Sequence, residues 1–121
     1  MKDLEITRGG MLVKLGKISK ASFGIGGYRD VCIGLRIDLD GGSWACGFSK
    51  MAWDNNLIEC DKNKEWTEED RDKNYAEIVR YISDLLHQAK VDSIEDLKGI
   101  PIEAIFDGTK LLKWRILTEV I

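Results

Sequence analysis

Val31-Cys32-Ile33-Gly34-Leu35-Arg36-Ile37-Asp38-Leu39-Asp40-Gly41-Gly42 alternates apolar with small or polar residues and then stops. Val31, Ile33, Leu35, Ile37 and Leu39 fall on one side of a chain with a two-residue period. Cys32, Gly34, Arg36 and Asp38 fall on the other. That is a half-buried strand. Asp40-Gly41-Gly42 follows as a hairpin turn, because glycine accepts positive φ at no steric cost. The return strand reads Ser43 to Ser49, with Trp44, Cys46 and Phe48 on its apolar face.

Working outward, Met11, Val13 and Leu15 alternate, the phase slips at Gly16-Lys17, and Ala21, Phe23 and Ile25 resume it after Ile18. A bulge near Gly16 accounts for the slip. A short strand, roughly Leu4 to Thr7, pairs with Met11 to Leu15 through Gly9-Gly10. Met51 to Trp66 has no period and reads as a long connection. Thr67 caps a helix, with Glu68, Glu69 and Asp70 at the positive end of its dipole. Tyr75, Ile78, Val79, Ile82, Leu85, Leu86 and Ala89 form its apolar stripe. Ser93 starts a short second helix over 94–97, and Gly99 stops it. Ile100, Ile102, Ala104 and Phe106 alternate before an Asp107-Gly108 turn. A last strand returns from Leu111 to Ile121, with Leu112, Trp114, Ile116 and Val120 on one face and Lys113, Arg115 and Glu119 on the other. The sum is an α+β domain over 1–121: an antiparallel sheet of about six strands, one long helix and one short helix.

The chain has 121 residues, 44% hydrophobic and 32% charged, with a net charge of −3. The balance argues against a general nucleic-acid binder, which carries a basic excess. No apolar run reaches the length of a membrane span. The N-terminus lacks a signal pattern, so a cytoplasmic protein is expected. Cys32, Cys46 and Cys60 are an odd, widely spaced set that fits reduced thiols.

Catalytic machinery is not visible. His87 is the only histidine and lies off the apolar stripe of its helix, with no nucleophile in a recognisable motif. No zinc ligand set is present, and neither a cofactor nor a metal is expected. Phe23-Gly24-Ile25-Gly26-Gly27-Tyr28-Arg29-Asp30 offers half of a dinucleotide fingerprint. The third glycine is replaced by Arg29, and a strand follows where the fingerprint needs a helix. What remains is a strand–turn–strand corner. It either only turns the sheet or leaves backbone, Tyr28 and Arg29 open to a ligand. Aromatic faces stack bases and arginine forks hold phosphates. On that chemistry the candidate binding residues are Phe23, Gly26, Gly27, Tyr28, Arg29, Arg36 and Arg115. The apolar C-terminal strand ending at Ile121 is expected to be buried in a homodimer, or covered by a helix of the same subunit.

Three blocks of the chain carry a resemblance: 23–30, Lys64-Glu65-Trp66-Thr67-Glu68-Glu69-Asp70-Arg71-Asp72-Lys73, and 99–108 together with 112–120. They resemble small proteins encoded by phages and prophages. The nearest functional group is the phage anti-defence sponge proteins that counter the Thoeris system. The resemblance implies an oligomer, a dimer or higher, in the cytoplasm of an infected bacterium. It would hold a cyclic ADP-ribose-type signal, or a cyclic oligonucleotide, without cleaving it. The site residues above are chosen by chemistry and are not carried over from that family. Two other readings compete: a phage protein that blocks a host defence protein by direct binding, and a hydrolase of nucleotide signals.

Overall fold

The computed structural model describes residues 5–8, 11–58 and 67–121. Six strands form one antiparallel sheet: β1 (Glu5–Arg8), β2 (Met11–Gly26), β3 (Cys32–Asp40), β4 (Ala45–Trp53), β5 (Pro101–Asp107) and β6 (Lys110–Ile116). Five run in the order β4-β3-β2-β5-β6, and β1 pairs with the start of β2. The helix α1 spans Glu68–Ala89. The expected second helix is a single 3-10 turn at Ile94–Leu97. The α+β reading therefore holds, with one α-helix among the described residues in place of two helices.

The alternation of β3 places its side chains as the sequence predicts. Leu35, Ile37 and Leu39 are buried under the helix, and Arg36 is exposed on the reverse face. Each of those three aliphatics contributes ~1.5–3 kcal/mol of burial. At the hairpin, the Gly42 N–H donates to Asp40 Oδ1 at 2.7 Å, and Gly42 sits at φ 90. The return strand starts two residues later than expected and runs through Met51 to Trp53, in place of the long connection expected from Met51 onward. Cross-strand pairing with β3 as far as Cys32–Trp53 keeps those residues extended.

The phase slip in β2 is real but lies further on. The register breaks between Ile18 and Lys20, so Ser19 is the extra residue, and its hydroxyl donates to the Asp38 carbonyl at 3.1 Å. Before the bulge the core side carries Leu12, Gly16 and Ile18; after it, Ala21, Phe23 and Ile25. Met11, Val13 and Leu15 thus face away from the helix. Gly16 is required where it is, since a Cβ there would meet the Asp40 carbonyl oxygen at 2.7 Å and the Trp44 ring at 2.9 Å.

Two ring contacts show that the sheet curls, and a third ties it to the helix. Phe48 on β4 meets Trp114 on β6 at 5.7 Å, although these strands end the sheet order on opposite sides. Trp44 meets Phe106 of β5 at 5.2 Å, and Phe48 meets Tyr81 of α1 at 5.6 Å. The helix fills the mouth of this half-closed sheet with Ile78, Leu85 and Ala89. Its start is a full capping box: Thr67 Oγ1 accepts the Asp70 N–H at 3.2 Å, and Asp70 Oδ2 accepts the Thr67 N–H at 3.1 Å. Lys90 ends it in the left-handed region.

β6 is shorter than expected. It stops at Ile116, and Thr118–Val120 form a 3-10 turn, so the C-terminus is not an apolar edge strand. Ile121 therefore lies on no strand through which a homodimer edge could form. Leu112 is the extra residue of a β5–β6 bulge and is 45% exposed, not core. Cys32 is buried and Cys46 half-buried, and neither is in a disulfide; Cys60 and Trp66 lie outside the described residues. Among those residues no helix is long and apolar enough to cross a membrane.

Candidate functional site

The glycine run is not a corner. Gly24 and Gly26 sit inside β2, opposite Gly34 and Cys32 of β3. The chain turns only at Gly27 (φ 73), and the turn closes through Asp30 N–H to the Gly27 carbonyl at 3.2 Å and Val31 N–H to the Tyr28 carbonyl at 3.3 Å. Arg29 (φ 55) and Asp30 (φ 54) are both left-handed. For non-glycine residues that conformation costs ~1–2 kcal/mol each. Two consecutive residues held so are an outlier of the kind found at ligand sites.

On the sheet face away from α1, Gly24 and Gly26 leave the backbone bare, while Gly34 is buried beside the Lys50 carbonyl and Met51. Gly24, Gly26 and Gly34 floor a hollow of about 560 Å³, walled by Ser22, Arg36 and Met51, with Asp30 at the turn end. Gly34 is glycine by necessity: a Cβ there would lie 2.3 Å from the Lys50 carbonyl oxygen. Gly24 has open space above it. Arg36 is the cation of this hollow. Its side chain is 60% exposed and 3.4 Å from Asp38, which leaves most of its five donors free to reach a ligand. The volume lies in the range of small-molecule sites.

Tyr28 and Arg29 stand on the adjoining turn. The Arg29 guanidinium lies 5.1 Å from the centre of the Tyr28 ring, whose edge meets Trp53 at 6.2 Å. Six of the seven residues expected from sequence thus lie in one neighbourhood: Gly26, Gly27 and Arg36 line the hollow, Tyr28 and Arg29 stand on the turn beside it, and Phe23 contributes its backbone while its ring lies on the helix side of β2. Arg115 is not. It pairs through β5 with the row of β2 that holds Leu15, whereas Arg36 pairs with Ser22. Seven residues of strand separate the two rows, roughly 23 Å at ~3.3 Å per residue. Arg115 is also engaged: its guanidinium donates to both carboxylate oxygens of Glu119 at 3.0 Å and to Glu103 at 3.3 Å. Those bonds raise the Arg115 pKa and hold the Glu119 carboxyl below its ordinary value.

The helix side of the same strands holds a second cavity, of about 360 Å³, between Phe23, Ile33, Tyr75, Ile78 and Val79, with Asp54, Asn55 and Asn56 at its polar end. Sequence reasoning missed what builds that end. Arg71, 3% exposed on α1, donates to Asn55 Oδ1 and, at 3.0 Å, to the Ile58 carbonyl. One turn on, the Tyr75 hydroxyl donates to the Trp53 carbonyl at 2.7 Å and accepts the Asn55 N–H at 3.3 Å. The signal was present as an Arg-x-x-x-Tyr spacing, which puts both side chains on one helix face. It reads as ordinary surface until the loop that it pins is seen.

No family model, no curated protein sequence and no solved structure matches the chain.

Proposed function

We propose that this protein binds and sequesters a small nucleotide-derived signal of the cyclic ADP-ribose type, without cleaving it, in the glycine-floored hollow. The observation that carries the reading is the bare backbone of Gly24 and Gly26 beside an exposed arginine. A flat ligand can lie against such a floor, where side chains would hold it off. Arg36 supplies planar donors for a diphosphate, and Arg29 stands ready at the turn. Asp30 and the strand backbone supply acceptors for ribose hydroxyls. A sponge needs affinity and no base or nucleophile. The phage anti-defence role against Thoeris rests on the resemblance of the three sequence blocks, and the cytoplasmic setting follows from that role.

The test is retention. The protein is incubated with cyclic ADP-ribose isomers and cyclic oligonucleotides, freed of unbound ligand and heat-denatured, and the supernatant is analysed. Release of unaltered ligand is the expected result. Release of a cleaved product would replace the sponge with an enzyme, and retention of nothing across the panel would end the nucleotide reading.

A further inference from the structure

We infer that a second copy of this chain adds to the outer edge of β2 at Ser22–Gly26, the two strands pairing antiparallel about a two-fold axis through Gly24. β5 covers that side of β2 only as far as Lys17, and the chain at Gly99–Ile100 covers Ile18 through backbone bonds of 2.7 and 2.9 Å. Beyond the bulge, no described strand pairs on that side, while β3 continues on the other side to Gly26. Every second residue of 22–26 therefore turns its N–H and C=O outward.

Sheet edges are normally blunted by charge, proline or a covering element. The outer strand β6 carries Lys110, Lys113 and Arg115, and β4 carries Lys50. Ser22-Phe23-Gly24-Ile25-Gly26 carries neither a charge nor a proline. The segment also matches itself. An axis through Gly24 sets Phe23 opposite the partner's Ile25 on the helix side, and Ser22 opposite the partner's Gly26 on the reverse. Phe23 and Ile25 are 49% and 55% exposed, so each gains a second cross-strand partner on its open side, beside Leu35 and Ile33 of β3. The two glycines at the axis offer no side chain to obstruct the approach, and no like charges meet.

The exposed parts of Phe23, Ile25 and the neighbouring Val79 amount to about 300 Å² per copy, taking ~150–250 Å² for a full aromatic side chain. With five residues of backbone added, this stays below the ~800 Å² per partner of a standard stable interface. The pairing is thus a weak one, in the micromolar range of dissociation constants. It does not depend on the nucleotide reading, because it is measured without ligand.

Sedimentation velocity of the full chain, from low to high micromolar concentration, tests it. A reversible monomer–dimer equilibrium is expected. Ile25→Lys, a charge on an exposed side chain, is expected to weaken it by roughly tenfold or more, the reach of ~1.4 kcal/mol. Leu112→Lys, on β6, is expected to leave it unchanged. Gly24→Cys is expected to give a covalent dimer on mild oxidation, since opposed Cα atoms at ~4.5–5.5 Å suit a disulfide, and the wild type under the same conditions is not. A chain that stays monomeric throughout, with no Gly24→Cys cross-link, would overturn the inference and leave the edge to a strand from another protein. A dimer indifferent to Ile25→Lys would overturn it as well.

Discussion

Phe48 and Trp114 belong to strands at opposite ends of the sheet order, yet their rings meet edge to face at 5.7 Å. This contact turns an open sheet into a half-barrel, and Tyr81 of the helix packs on the same Phe48 ring. Phe48→Ala removes both partners at once. Its cost is expected near the lower end of the ~3–5 kcal/mol typical of buried Phe→Ala changes, because Phe48 is only half-buried. Phe48→Leu should lose less than half of that. Chemical denaturation of the three proteins checks the order.

Gly24 and Gly34 face each other across β2 and β3, yet they respond differently to a methyl group. Gly34→Ala forces a Cβ to within 2.7 Å of the Met51 Cα as well as onto the Lys50 carbonyl. Overpacking of this kind against backbone costs typically ~1–3 kcal/mol, and more where nothing can yield. Gly24→Ala meets nothing within 4 Å and should leave the melting temperature unchanged or slightly raised. Gly24→Ala also places a methyl group on the floor of the hollow, so it separates ligand affinity from stability. Thermal melts with and without nucleotide decide it.

Arg71 is the buried cation that ties the loop after β4 to the helix. Arg71→Ala leaves the Asn55 side chain and the Ile58 carbonyl without their described donors. A loss of ~3 kcal/mol is expected, the scale of breaking a buried charged network. Tyr75→Phe removes one hydroxyl that serves Trp53 and Asn55, and is expected to cost ~1 kcal/mol. Hydrogen exchange should show the opening of the 54–58 amides speeding up in both variants, more so in Arg71→Ala.

Tyr81 lies under Phe48 and Lys50, and burial pushes its phenol up to about 12. The folded state thus favours the neutral ring. Its contribution to stability is complete below the ordinary tyrosine pKa of ~10 and is lost as pH rises through about 12. Spectrophotometric titration should show one tyrosine ionising last, and Tyr81→Phe should abolish that late step. The Cys46 thiol is raised by burial and then by Asp38, so it should alkylate more slowly than a free thiol at neutral pH.

Much of this fold is legible because short-range rules decide it. The β3 alternation, the Asp40 and Asp107 turns and the Thr67 cap each depend on residues within a few positions. What the sequence hides is long-range. Ser19 becomes a bulge only because Asp38 and Leu39 stand opposite it. The Phe48–Trp114 closure joins residues far apart in the chain, and no local period announces it. The site divides along the same line. Arg36, Phe23, Gly26 and Gly27 share a neighbourhood because β2 and β3 are joined by a short turn. Arg115 is separated from them by the β5 register and by two carboxylates, neither of which its own strand pattern reveals.

The central claim is that the hollow beside Arg36 holds a nucleotide-type ligand. Calorimetric titration of a retained cyclic ADP-ribose isomer into the wild type, Arg36→Ala and Arg115→Ala tests it most directly. A charge-assisted hydrogen bond contributes ~1.5–3 kcal/mol, so Arg36→Ala is predicted to bind roughly tenfold or more weakly. Arg115→Ala, already committed to Glu103 and Glu119, is predicted to bind like the wild type. Equal affinity of Arg36→Ala and the wild type, or a loss confined to Arg115→Ala, would contradict the account.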